Sequence, residues 1–165
     1  MLLSIDCSIN NNGIAVFFDH GVLLDYDLIK STGNTEQEKI QSIVRKIDNC
    51  LGIYLISTVL IEKPPTITYN RSSKFNKALN AKSIQKLNMV VGAIMGFVSV
   101  RYPEIEIVTV DVLQWKGRQK KEVTRMNAKM LYKVETNDMN ITDAIMLGHW
   151  YISQQKMKGK VNDFR

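Results

Sequence analysis

Apolar and polar positions alternate in short blocks over the first thirty residues. Residues 2–9 read as a buried strand, followed by a polar turn at Asn10, Asn11, Asn12 and Gly13. Residues 14–18 read as a second strand, and the turn Asp19, His20, Gly21 leads into a third over 22–29. Short turns rich in Asn and Gly between apolar runs predict an antiparallel meander. The period then changes. Thr35 with Glu38 has the spacing of a capping box, and Ile40, Ile43, Val44 and Ile47 recur on one face, which predicts a helix over 36–51. Residues 58–62 return to a strand, apolar until the last residue and stopped by Pro64 and Pro65. A long polar and basic connection covers 64–79. A helix over 81–101, a strand over 106–110, a basic turn over 115–121 and a helix over 121–134 follow. Residues 136–139 read as a loop, and the last helix begins near Asn140. The order βββ-α-β-α-β-α-α predicts an α/β fold, a mixed five-stranded sheet flanked by helices. One domain over 1–155 is expected, with 156–165 as a polar, frayed tail.

The chain has 165 residues, enough for one core, with 45% hydrophobic and 23% charged residues. The longest apolar run, 89–100, is about two-thirds of a membrane-spanning helix and reads as a buried helix, so no membrane partner is expected. The first residues lack the basic leader of a secretory signal. Cys7 and Cys50 have no CxxC spacing and no histidine cluster nearby. That argues against structural zinc and fits a reducing, cytoplasmic setting.

Charge changes the picture more. The net charge is +6, but residues 1–61 hold seven acids and four bases, whereas 62–165 hold nine acids and eighteen bases. Residues 63–103 contain seven bases and no acid, and 116–133 contain seven bases against Glu122 alone. Such blocks attract polyanions, and nucleic acid is the commonest. In the first block Lys63, Arg71, Lys74, Lys77 and Lys82 are the candidate DNA contacts, with Tyr69 and Phe75 as aromatics able to stack on unpaired bases or to pack their loop. In the second they are Lys116, Arg118, Lys120 and Lys121.

Against this basic background three acids stand in apolar settings. Asp6 interrupts the strand Leu2, Leu3, Ser4, Ile5. Glu62 ends the run Val59, Leu60, Ile61. Asp143 lies among Ile141, Ala144, Ile145, Met146 and Leu147. A carboxylate at a core edge is costly to ionise unless a cation pairs with it. Basic side chains could do this, and so could a divalent ion, for which hard oxygen ligands suit Mg²⁺ or Mn²⁺. Each acid also has a plainer reading. Asp6 can be a strand-end acid beside a turn, and Glu62 a solvated residue before two prolines. Asp143 can complement the dipole at the third position of a helix capped by Asn140.

Ser4-Ile5-Asp6-Cys7-Ser8 followed by Gly13-Ile14-Ala15-Val16 resembles the first motif of RuvC-type Holliday junction resolvases, where an Asp ends the first strand and the next begins with Gly. Leu60-Ile61-Glu62 resembles the second motif. Asn80-Ala81-Lys82-Ser83, with Leu87 and Gly92, resembles the helix that follows. Trp115-Lys116-Gly117 and Lys120-Lys121-Glu122 resemble the basic segment of the bacteriophage members. Thr142-Asp143-Ala144-Ile145 resembles the last motif. The resemblance covers nearly the whole chain. It implies a ribonuclease H-like fold and a homodimeric, Mg²⁺-dependent endonuclease of branched DNA that nicks two strands of a four-way junction symmetrically, in host cytoplasm if phage-encoded. It implies Asp6, Glu62 and Asp143 as metal ligands, Lys116 at the scissile phosphate, and the 81–101 helix at the dimer interface. Two positions depart from the pattern. Asn140 stands where bacterial members carry a fourth ligand, Asp or His; its amide oxygen could ligate but brings no charge. Pro65 stands where they place an aromatic wedge.

Trp115 reads as a loop anchor, His149 as a surface or interface residue, and His20 as a turn residue without a role. Two other functions share the features so far described: a non-catalytic module binding branched DNA, and a ribonuclease acting on RNA–DNA hybrids.

Overall fold

The computed structural model describes residues 1–64 and 81–162. The N-terminal meander forms as the alternation predicts. Strands β1 (Leu2–Asp6), β2 (Asn11–Phe17) and β3 (Leu23–Lys30) are antiparallel neighbours. The first turn, however, ends at Asn10, and Asn11, Asn12 and Gly13 belong to β2. Ser8 is the reason: its Oγ accepts from the backbone N–H groups of Asn10 (3.2 Å) and Asn11 (3.1 Å), and its own N–H donates to Asn12 Oδ1 (3.0 Å). These local side-chain bonds close the turn early. They also pair Asp6 with Gly13 across the two strands.

Helix α1 (Glu36–Ile53) opens on the expected capping box, with Glu38 N–H donating to Thr35 Oγ1 (3.2 Å) and Thr35 N–H donating to Glu38 Oε2 (3.1 Å). It returns the chain to β4 (Thr58–Lys63), which lies parallel to β1. Helix α2 (Ala81–Arg101) then leads to β5 (Glu106–Asp111), parallel to β4. The sheet order is β3-β2-β1-β4-β5, mixed and five-stranded. A four-residue helix α3 (Val112–Trp115), lying between the expected strand and the expected basic turn and sharing only Trp115 with the latter, precedes α4 (Lys121–Tyr132) and α5 (Met139–Asn162). Helix α5 runs through most of the segment expected as a frayed tail, and Lys156 Nζ donates to the carbonyl of His20 (2.9 Å).

The sheet carries one core on each face. Leu3, Ile5, Val59 and Ile61 pack with Ile43 and Ile47 of α1 and with Val90, Ile94 and Val98 of α2. Ala15, Phe17 and Leu60 pack with Ala128 of α4 and with Ala144, Ile145 and Leu147 of α5. Successive residues of β1 face opposite sides, so Leu3 and Ile5 serve the first core while Leu2, Ser4 and Asp6 face α5. Helix α2 is long and apolar enough to cross a membrane by length and composition alone, but its Val90, Val91, Ile94 and Val98 are buried in the first core.

Helix α5 sits unusually close to the sheet. A Cβ at Gly13 would overlap the backbone carbonyl of Asn140, and one at Gly148 would overlap the Phe17 ring and crowd Ser4 Oγ at 2.9 Å. Ser4, fully buried, donates from Oγ to the carbonyl of Ala144 (2.6 Å). The helix is capped by Asp138, whose Oδ1 accepts from Asn140 N–H (2.9 Å) and Ile141 N–H (3.3 Å). Asn140 is therefore not the cap. Asp143 occupies the fifth helical position, counted from Met139, so an acid complementing the first-turn dipole does not explain it.

This packing separates two kinds of glycine. Gly13→Ala is expected to lower stability by about 1–3 kcal/mol, because backbone atoms must move. Gly52→Ala, where nothing lies within 4 Å, is expected to be neutral or to raise stability, by up to about 1 kcal/mol. Urea denaturation of the two variants checks both signs, and equal effects would refute the close approach of α5.

Candidate active site

Asp6 ends β1, and Glu62 is the next-to-last residue of β4. These strands are adjacent and parallel, in register from Leu2 with Thr58 to Ile5 with Ile61, so the two carboxylates emerge side by side at the strands' C-terminal ends. In open α/β sheets this is where ligands bind. Helix α5 delivers Asp143, which is buried, against the same edge. The local sequence brings this about through small residues: Gly13 beside Asp6 admits the start of α5, and Ser4 and Gly148 hold the helix down.

The three acids feel one another. Burial pushes the Asp6 carboxyl well above its ordinary range, and the charges of Glu62 and Asp143 push it further, while Lys116 and Lys121 act in the opposite sense. Glu62 is also raised, first by burial and then by Asp143; the hydrogen bond from Trp115 and the charges of Lys116 and Lys121 oppose the shift. The thiol of Cys7 is raised by burial and by the neighbouring Asp6 and Glu62 charges.

Two of the three carboxylates have strong partners from one short segment. Trp115 Nε1–H donates to Glu62 Oε2 (2.8 Å), and Lys116 Nζ is ion-paired with Asp143 Oδ1 (2.6 Å), each side chain of that pair only 8% exposed. The ammonium also lies 5.2 Å from the centroid of the Trp115 ring. Helix α3 aims these residues. Asp111 caps it, accepting from Leu113 N–H (2.9 Å), while Asp111 N–H donates to Gln114 Oε1 (3.0 Å). Gly117, at φ +58°, turns the chain out toward α4. Asp6 has no hydrogen bond or ion pair of this kind among the described residues.

Of the residues singled out in the sequence, Asp6, Glu62, Asp143 and Lys116 come together, and Lys121 is close enough for its charge to act on Asp6 and Glu62. Arg118 and Lys120 are exposed between α3 and α4, Lys63 is half-buried at the end of β4, and Lys82 is exposed in the first turn of α2. Asn140 packs its carbonyl against Gly13, and its side chain makes no hydrogen bond among the described residues. Tyr69, Arg71, Lys74, Phe75 and Lys77, like Pro65, lie outside the described residues. His149 lies between α4 and α5 of the same chain, its Nδ1 hydrogen-bonded to the Tyr132 hydroxyl (2.8 Å). The bond from Trp115 to Glu62 was not legible in the sequence, where an indole in a basic turn has no marked partner.

Three carboxylates on one edge form a hard oxygen donor set, and Asp6 is enclosed there without a paired cation of its own. That chemistry fits a divalent ion of the Mg²⁺ class. As the side chains are placed here, no three acidic, His or Cys side chains among the described residues stand close enough together to hold an ion; Glu62 is bonded to Trp115 and Asp143 to Lys116.

A crowded, partly uncompensated acid should weaken the fold of protein without metal. A carboxyl whose folded-state pKa is raised contributes stability only while protonated, and that stability is lost as pH rises through the raised value. At pH 7 in excess chelator, Asp6→Asn is therefore expected to raise stability by about 0.5–2 kcal/mol. Thermal melts at pH 4 and pH 7 check this, because the gain should shrink at the lower pH.

The fold has known counterparts. Thermus thermophilus RuvC in complex with a Holliday junction substrate superposes with a TM-score of 0.68 at 17% identity, over 93% of this chain and 94% of that one. A second Thermus thermophilus RuvC structure gives 0.66 at 16% identity, over 94% and 96%. The yeast mitochondrial Holliday junction resolvase gives 0.62 at 13% identity, over 98% of this chain and 81% of that one. No protein-family model matches the sequence, and no curated protein does. At these identities the likeness establishes the fold alone: a ribonuclease H-like mixed sheet flanked by helices, as in RuvC.

Proposed function

We propose that this protein is a Mg²⁺-dependent, structure-selective DNA endonuclease that resolves Holliday junctions, and other branched DNA, by paired nicking as a homodimer. The observation that carries the reading is the convergence of Asp6, Glu62 and Asp143 at the edge of parallel strands, beside a strongly basic segment. Asp6, Glu62 and Asp143 would hold the metal, with Mn²⁺ as a substitute and the Asn140 amide as a neutral oxygen donor. Bound cations at a phosphodiester supply an activated water and stabilise the leaving oxygen.

The chain's own residues would do the rest. Trp115 fixes the Glu62 carboxylate through its indole N–H. Lys121 offers positive charge at the mouth of the site, and the exposed Arg118 and Lys120 extend it toward a phosphate backbone. Contacts of this type position DNA without reading its sequence. The motif Trp115-Lys116-Gly117 supports a likeness to bacteriophage members of the fold. The partner surface for a second copy is the outer face of α2. Gln85, Asn88, Met89, Gly92, Gly96 and Ser99 form an exposed, uncharged stretch with Lys82 at its N-terminal edge, and nothing lies within 4 Å of a Cβ at Gly92 or Gly96. Small residues let another helix approach closely.

Asp6→Asn should abolish Mg²⁺-dependent nicking while leaving junction binding at matched salt unchanged within about threefold. Retained cleavage would refute the site. A panel of four-way junctions, forks, flaps and RNA–DNA hybrids with mapped nicks tests selectivity; symmetric paired nicks on junctions are expected, and preferential cleavage of hybrids would favour a ribonuclease. Gly96→Arg should convert dimer to monomer in analytical ultracentrifugation without loss of helix content, and a dimer that persists would exclude this face.

A further inference from the structure

The ammonium of Lys116 occupies one oxygen of Asp143, a carboxylate assigned above to the metal site. It touches Asp143 Oδ1 at 2.6 Å, and both side chains are almost fully enclosed. A divalent cation on the same enclosed carboxylate and the ammonium beside it would repel each other strongly. The residue can leave. Lys116 is the C-cap of a helix only four residues long, followed by Gly117 at φ +58°, and its stem is a flexible four-carbon chain. Lys121 differs. It acts on Asp6 and Glu62 through space, is exposed, and makes no ion pair with them.

We infer that Lys116 is a displaceable internal counter-ion of the carboxylate site, released from Asp143 when a divalent cation binds and thereby freed to meet a substrate phosphate. The inference rests on the metal site proposed above. It links loading to substrate engagement: the same side chain balances the acids before the cation arrives and presents a positive charge to DNA afterwards. It also gives the site a resident reporter. Trp115 donates its indole N–H to Glu62 and has the Lys116 ammonium at 5.2 Å from its ring centroid, so exchange of the two cations must change its surroundings.

The test uses the intact protein without DNA and Mn²⁺ as the probe. Mn²⁺ binding is measured by calorimetry, and the acetylation rate of each lysine is followed by mass spectrometry with and without Mn²⁺. Lys116 should be slow to acetylate alone and at least about fivefold faster at saturating Mn²⁺, with exposed lysines such as Lys129 unchanged. Lys116→Met should bind Mn²⁺ about tenfold more tightly than wild type, since no ammonium has to be expelled. Lys121→Met should tighten binding less than about threefold, as a field effect alone would. Trp115 emission should change on Mn²⁺ addition, a response absent from Trp115→Phe. Mn²⁺ binding with unchanged Lys116 acetylation, or equal tightening by both lysine variants, would overturn the displacement while leaving the metal site standing. Absence of Mn²⁺ binding would overturn both.

Discussion

The close approach of α5 to strands β1 and β2 is the contact on which the rest of the molecule depends. Side chains normally hold a helix well off a sheet. Here Gly13 and Gly148 remove the obstacles at two points along the helix, and the Ser4 hydroxyl bonds to the carbonyl of Ala144 between them. A hydroxyl buried in that position would be costly without its partner, so the bond also fixes the helix in register. Only with this register does Asp143 arrive beside Asp6 and Glu62. A helix set a few ångströms further out would leave the third carboxylate in solvent.

Bringing three acids to one enclosed edge works against stability. Burial and mutual repulsion raise the carboxyl of Asp6 and oppose ionisation of Glu62. The fold tolerates this because a single short element answers two of the three. Helix α3 places an indole N–H on Glu62 and an ammonium on Asp143 from consecutive residues. Adjacent residues serve different acids because the one-turn helix ends at Trp115 and Gly117 then redirects the chain. Local strain of this electrostatic kind, held by the surrounding core, is typical of sites that must bind a charged species.

The two sheet faces divide the remaining work. The α1 and α2 side is a continuous aliphatic core, and beyond it α2 exposes Gly92, Gly96 and Ser99 in its C-terminal half. The α4 and α5 side carries the acids, the basic residues that follow α3, and the hydrogen bond between Tyr132 and His149 that joins the two helices. An edge that gathers acids and a flanking segment that gathers bases can coexist because the strand ends separate them by only one short helix. The acids are enclosed, and the bases reach water.

Periodicity alone determined most of the architecture. Alternation over β1 to β3, the capping box of α1 and the apolar face of α1 are local properties, and each element forms, although β1 ends at Asp6 and β2 begins at Asn11 rather than at 9 and 14. Asp6 and Glu62 were legible for the same reason: an acid at the end of an apolar strand contradicts its surroundings within a few residues of sequence. Tertiary structure decided the rest. Ser8 moved the first turn by bonding to its own neighbours, and Asp138 rather than Asn140 capped α5, a choice between two good capping residues that local sequence leaves open. Trp115 meeting Glu62 and Lys116 meeting Asp143 join residues 53 and 27 positions apart. No local pattern encodes such pairs, because they follow from the parallel register of β4 with β5 and from the depth at which α5 packs.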